Sequence, residues 1–235
     1  MPVRERIPFK RLFAEGVVIV VSVLLALAAD AWLDRRREDQ AVVQHLHALQ
    51  RDFGQMRARM DSVLNQTGQN IDASRLVTVR VTTTAPPLPA DSLYRALVEL
   101  VDYAVFSPST ASYASLTATG QIELLEDREL KALLAEFFGY FEDFAATEAA
   151  IQRVVFDMLL SPDFAALVGY DEVVRGFGPE GFPTTPVDPR VIAESRALMN
   201  YLGVLSAMYY EAFSDYEWMS GRIDEIRLRL PVAGE

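Results

Sequence analysis

The chain has no cysteine among its 235 residues. That excludes disulfides, thiolate nucleophiles and any zinc or iron–sulfur site built on Cys. It leaves the compartment open, since envelope and cytoplasmic proteins alike can lack the residue. Histidine is nearly as scarce, with only His45 and His47. Two positions apart on a helix, they diverge by about 200° and cannot share a metal without other ligands, so both read as surface residues. Lysine is confined to Lys10 and Lys131, and every other basic residue is arginine. That bias points to a GC-rich bacterial genome rather than to a mechanism. The sequence also lacks GxSxG, HExxH, EF-hand and paired ExxH patterns. Its GFGPEG stretch at 176–181 follows no strand and holds no Lys, which argues against a phosphate loop. No catalytic residue, cofactor or metal site is expected, and the chain reads as non-enzymatic.

What remains is apolar and acidic. Hydrophobic residues make up 51% and charged residues 23%, too apolar for a disordered chain and too charged for a polytopic membrane protein. The net charge of −11 is unevenly placed. Residues 1–37 hold seven Lys/Arg against four Asp/Glu, and the remainder holds fifteen against twenty-nine. So acidic a body repels phosphate backbones, which excludes nucleic acid as the expected partner. The basic end is the one suited to anionic lipid headgroups.

Gly16 to Ala29 reads GVVIVVSVLLALAA, fourteen residues without a charge. At ~1.5 Å per residue this covers about 21 Å, short of a ~30 Å hydrocarbon core. Extension to Leu12–Leu33 gives a sufficient length, with Glu15 and Asp30 near the two boundaries and Trp32 as an interfacial anchor. The expectation is a basic arm over 1–11, a transmembrane helix over 12–33, and a helical domain over 34–235. A cleaved signal peptide is the rival reading, because a basic start and Ala26-Leu-Ala28 fit its outline. Against it, Glu15 interrupts the basic-to-apolar transition and helical patterning continues past the cut. Four Lys/Arg before the helix and three just after it nearly balance the positive-inside rule. The short arm and long acidic domain favour a cytoplasmic N-terminus, with the domain in the periplasm, at a bacterial inner membrane.

Beyond the anchor, Val42, Leu46, Leu49, Phe53, Met56, Met60 and Val63 repeat at spacings of 4 and 3. Such a seam serves either the core of an intramolecular bundle or a self-associating coiled coil. Residues 74–90 carry Val77, Val79 and Val81 and then three prolines, and read as a connector containing a short strand. Asp91 or Ser92 caps a short helix. Pro108-Ser109-Thr110 starts another, which Gly120 stops. Asp127 caps a longer helix ending at Ser161-Pro162, and 170–188 is a Gly/Pro-rich excursion. Asp188-Pro189 opens a last helix running to Pro231, about 60 Å long and matched to the stalk over 33–72. The fold expected is all-α, an N-terminal transmembrane helix continuing into an elongated antiparallel bundle.

Candidate chemistry is thin. Met56 and Met60 share a face that suits core packing better than copper. Glu123, Glu126, Asp127 and Glu129 cluster where a helix start attracts acids for capping and dipole reasons. The Phe137, Phe138, Phe141 and Phe144 run reads as core. Asp30 stands apart, because a carboxylate in an apolar helix is costly unless it is interfacial or paired across helices.

Two stretches carry a family likeness: EGVVIVVSVLLALAADAWLDRRRED (15–39) and PSTASYASLTATGQIELLEDRELKALLAEFF (108–138). They resemble the DUF6090 family of single-span bacterial proteins. Glu15, Gly16, Asp30 and Trp32 match its first motif. Tyr113, Leu116, Thr119, Gly120, Leu124, Leu125, Asp127 and Leu130 fit its second, beside Ser109 and Thr110 at the head of that segment. Departures are Ala114-Ser115 and Gln121-Ile122 in place of EE and NL pairs, and Phe137-Phe138 in place of YY. The resemblance covers about a quarter of the chain, implies a retained anchor and supplies no activity. Two functional readings follow. One is a non-enzymatic sensing, scaffolding or partner-binding envelope protein. The other is a homo-oligomeric channel or proton path built from the Asp30-bearing helix. Expected partners are the lipid bilayer, a further copy of the chain, or an unidentified protein.

Overall fold

The computed structural model describes residues 9–83, 92–168 and 187–231, and only the backbone of 9–16, 18, 19, 38 and 39. The fold is all-α, with no strand among the described residues. Three long helices, α1 (Phe9–Thr82), α4 (Arg128–Leu159) and α7 (Arg196–Arg229), lie side by side. The place of a fourth is taken by shorter pieces: α2 (Ser92–Val101), a strap without regular secondary structure at 102–110, α3 (Ala111–Ala118) and a 3-10 turn at Gln121–Leu124. Two more short helices, α5 (Pro162–Val168) and α6 (Pro189–Glu194), lie between α4 and α7 in the chain.

Neighbouring helices run antiparallel. Along α1 and α7, Arg57 pairs with Asp224 and Arg75 with Tyr210. Along α4 and α7, Asp127 meets Arg229 while Glu148 meets Tyr216. Along α1 and the broken element, Gln66 reaches Glu99 while Leu46 lies beside Leu124. The result is an up–down–up–down bundle whose second helix is interrupted.

The apolar seam of α1 is spent inside this bundle. Leu49, Phe53, Met56, Met60 and Val63 are all buried, with Phe53 against Phe137 and Phe138. Val42 and Leu46, nearer the exit, are half-buried. The intramolecular reading of the heptads therefore holds over the coiled-coil one.

Two expectations are corrected. The connector set at 74–90 begins too early, because α1 continues to Thr82. Its β-branched residues are tolerated because Val77 is fully buried and the hydroxyls of Thr82 and Thr83 donate back to the carbonyls of Thr78 and Val79. No strand forms there. Residues 84–91, with their prolines, lie outside the described residues, as does the excursion up to 186. The last helix is also not continuous. Asp188 does cap a helix with Pro at its start, but that helix ends after Glu194. Ser195 adopts extended backbone, caps Leu198 N–H through its hydroxyl and donates to Asp163, so α7 begins anew. The Ser161-Pro162 stop stands as expected, with the Ser161 hydroxyl accepting from Phe164 N–H at the start of α5.

Interrupting the second helix leaves carbonyls at the end of α2 short of their helical partners, and side chains from two other helices cover them. Asn70 donates to Glu99 O and, at 2.7 Å, to Asp102 O. Gln66 donates to Asp102 O, and the Tyr209 hydroxyl donates to Leu100 O at 2.7 Å. A helix end inside a core needs such partners, since each buried unpaired group costs about 1–3 kcal/mol.

Candidate functional site

The sequence-predicted residues fall in two places. Asp30 and Trp32 lie on the part of α1 that projects beyond the bundle, whereas the side chain of Glu15 lies outside the described residues. Every described side chain from Val17 to Arg37 is exposed, among them Leu24, Leu25, Leu27 and Leu33. From Val20 to Leu33 the helix is apolar apart from Ser22 and Asp30, and it is not buried against any of the described residues. The Arg36 guanidinium sits 4.6 Å over the Trp32 ring. Among the described residues no helix is long and apolar enough to cross a membrane. The contiguous described side chains from Val20 to Leu33 account for about 21 Å of rise.

The second place is the corner at 108–130. Leu116 is fully buried, and Tyr113 is half-buried with its ring stacked 4.2 Å from Phe138. Burial, with Glu142 nearby, raises the Tyr113 pKa, so its hydroxyl stays protonated. Ser109 and Thr110 are exposed, and Thr110 holds the N-cap position of α3 without a side-chain hydrogen bond. Thr119 closes α3, its hydroxyl donating to Ser115 O at 2.8 Å. Gly120 follows at φ 71°, the left-handed region where a Cβ is disfavoured. Asp127 accepts from Glu129 N–H and Leu130 N–H at 2.9 and 3.0 Å. Those bonds and the Arg229 guanidinium hold its pKa below the usual range. Leu116 and Tyr113 seat the corner, Thr119, Gly120 and Asp127 end or begin its elements, and it lies at the end of the bundle from which α1 emerges.

Among the described residues one buried carboxylate went unnoticed in the sequence. Glu148, on the inner face of α4, is only 8% exposed. It accepts from the Tyr216 hydroxyl at 2.6 Å and from Phe106 N–H at 2.8 Å. Burial raises its pKa, opposed by the Tyr216 and Phe106 hydrogen bonds and by the more distant Arg59. Tyr216 is itself pushed far up by burial and by Glu148, and remains a donor. Beside them a cavity of about 10 Å³, bordered by Thr67, Tyr103 and Tyr209, has room for about one water. Glu148 fastens the strap: its bond to Phe106 N–H holds the ring of a fully buried Phe106 against Phe141. A Glu at a core position of an amphipathic helix was the available signal, since 144, 148, 151, 155 and 158 share one face.

On the outer side of the same strap lies an open cavity of about 400 Å³. It is lined by Asp52, Gln55, Met56 and Arg59 of α1 and by strap residues 107–109.

Among the described residues no three His, Cys, Asp or Glu side chains gather closely enough to hold a metal ion. His45 and His47 are half-buried on α1 rather than fully on the surface. The class of protein these features define is an elongated antiparallel helical bundle with a projecting apolar helix. No protein-family model matches the chain, and no curated protein or solved structure is significantly similar to it.

Proposed function

We propose that this is a single-pass bacterial inner-membrane protein whose bundle is displayed in the periplasm as a non-enzymatic sensing, scaffolding or partner-binding module. One observation carries the reading: beyond the charged stretch at 34–39, the projecting part of α1 is apolar apart from Ser22 and Asp30, with its described side chains from Val20 to Leu33 exposed. A helix of that kind is stable only when something apolar surrounds it. The span invoked runs from Leu12 to Leu33 in the sequence, and the likeness of residues 15–39 to single-span proteins supports it. The backbone of α1 is helical without a break from Phe9 to Thr82, which on this reading joins the anchor directly to the bundle.

The test is alkaline carbonate extraction of membranes expressing the full chain, with N-terminal sequencing of the product. Retention in the pellet with the N-terminus intact is expected. Release into the supernatant, or a mature N-terminus near Ala29, overturns the anchor. Protease added outside spheroplasts should remove the bundle if it faces the periplasm.

The homo-oligomeric reading is favoured by one fact: Asp30 is exposed and has no hydrogen bond or ion pair among the described residues, and a carboxylate in an apolar helix gains from one. Asp30→Leu should then change the oligomer found in mild detergent. An unchanged oligomer reduces Asp30 to an interfacial residue.

A further inference from the structure

Among the described residues Glu148 is the one charged side chain buried in the core, and no cation is bonded to it. Both of its donors, the Tyr216 hydroxyl and Phe106 N–H, reach a single oxygen, Oε1. Oε2 takes part in neither bond, and Glu148 borders the cavity that has room for about one water. Two donors on one oxygen replace only part of the hydration that a carboxylate gives up on burial, so burial favours the neutral acid. An acid protonated on Oε2 keeps Oε1 as the acceptor for both donors. The raised pKa of Glu148, set first by burial, agrees with that preference.

The strap above it is held lightly. Between residues 103 and 109 the bond from Phe106 N–H to Glu148 is the one backbone amide bond, and Phe106, set against Phe141, is the one fully buried side chain. Residues 107–109 border the open cavity of about 400 Å³, so the strap is loosely seated on that side. Three elements face the carboxylate. From α1 comes Arg59, acting at a distance, and from α7 come Tyr216 and Tyr209. The strap itself brings Tyr103, with Asp102 at its head bearing on Tyr209. Burial pushes both α7 tyrosines far up, so neither changes charge where a carboxyl does.

We propose that the strap is a proton-controlled latch, closed over the core while Glu148 is neutral and lifted, with Phe106 drawn off Phe141, when Glu148 is charged. Lifting returns the carboxylate to water, where it gives up its proton, and closing takes one up. The closed form is therefore favoured below the ordinary glutamate value, and the lifted form gains as pH rises from there through the raised value. Lifting bares core residues that border the small cavity, among them Thr67, Ile151 and Ala212. The bundle thereby acquires a surface that depends on proton concentration. The latch lies within the bundle and does not depend on the anchor.

Hydrogen exchange at the Phe106 amide of the full chain in mild detergent tests it, read from about pH 4 to 7 and corrected for the intrinsic rate at each pH. Protection in the wild type should fall by up to about tenfold per unit as pH rises past the ordinary glutamate value, then level off. At every pH it should stay at least about tenfold below that of the α7 core amides, because the opening is local. Glu148→Gln keeps a neutral side chain with its Oε1 acceptor, and should hold Phe106 protected without a slope. Tyr216→Phe keeps the ring and deletes one donor to the carboxylate, so it should extend the fall to higher pH. That variant carries the test should Glu148→Gln melt early. A flat wild-type profile overturns the latch, as does a Tyr216→Phe profile superimposed on the wild type. A slope that persists in Glu148→Gln overturns it in favour of Asp102. Equal protection of Phe106 and the α7 core also overturns it, since the strap would then open only with the whole bundle.

Discussion

The two halves of α1 make the most instructive contrast in the molecule. From Val20 to Leu33 every described side chain is exposed and the helix is apolar apart from Ser22 and Asp30. From Leu49 to Val77 the same helix buries a single seam and turns charged residues such as Arg57, Asp61 and Arg75 outward. A seam is what a helix needs when its neighbours are other helices, and an all-round apolar surface is what it needs when its neighbour is a continuous apolar medium. One backbone carries both, so the boundary between them is set by side chains alone.

The largest expected effect breaks this contrast from the inner side. Phe53→Ala removes a fully buried ring packed on Phe137 and Phe138, and should cost about 3–5 kcal/mol in denaturant unfolding of the full chain in detergent. Leu24→Ala, in the exposed half, should change bundle stability by less than about 0.5 kcal/mol. Equal effects from the two would mean that the projecting segment packs on the bundle after all.

The next effect sharpens the contrast by locating the polar centre of the inner half. Glu148→Ala leaves the Tyr216 hydroxyl and Phe106 N–H without an acceptor, a cost of about 1–3 kcal/mol. Glu148→Gln keeps an acceptor and removes the charge. Because the folded-state pKa of Glu148 is raised, the native state holds its proton where the unfolded state has lost it. Its contribution is therefore most favourable below the ordinary glutamate value and declines as pH rises from there through the raised value. Urea titrations across that window should show wild type losing stability relative to Glu148→Gln as pH rises. A parallel pH dependence would show that Glu148 does not titrate there.

A smaller effect of opposite sign belongs to Asp127. Its pKa is lowered by the Leu130 amide first, so its cap is fully present above the ordinary carboxylate range and is lost as pH falls through the depressed value. Asp127→Ala should lower the denaturation midpoint at neutral pH and converge with wild type in acid. Smallest are two glycines. Gly120→Ala forces a Cβ onto a φ of 71° and should destabilise by about 1 kcal/mol. Gly139→Ala on the exposed face of α4, where a Cβ meets nothing, should stabilise by about 0.5–1 kcal/mol. Both are read as shifts in thermal midpoint, and matching signs would contradict the corner geometry.

Much of this architecture is legible in the residues themselves. Helix caps at Asp127 and Asp188, the stop at Gly120 and the pairing of the first long helix with the last all follow from local chemistry and from length. They are legible because capping and left-handed turns depend on a few adjacent atoms. Other features needed partners distant in the chain. The seam of α1 does not stop at Val63: it continues at the same spacing through Thr67, Asn70 and Ser74 to Val77, all buried. In sequence those polar residues look like its end. Asn70 becomes a core residue because α2 stops opposite it and offers carbonyls, and Ser74 because Ser206 meets it from α7. Glu148 likewise looks like one more surface acid of an acidic chain until Tyr216 and the Phe106 amide are brought to it from 68 residues ahead and 42 behind. Hydrophobic periodicity reports where water is excluded. Which polar groups share that excluded space is decided by the donors and acceptors that the folded neighbours supply.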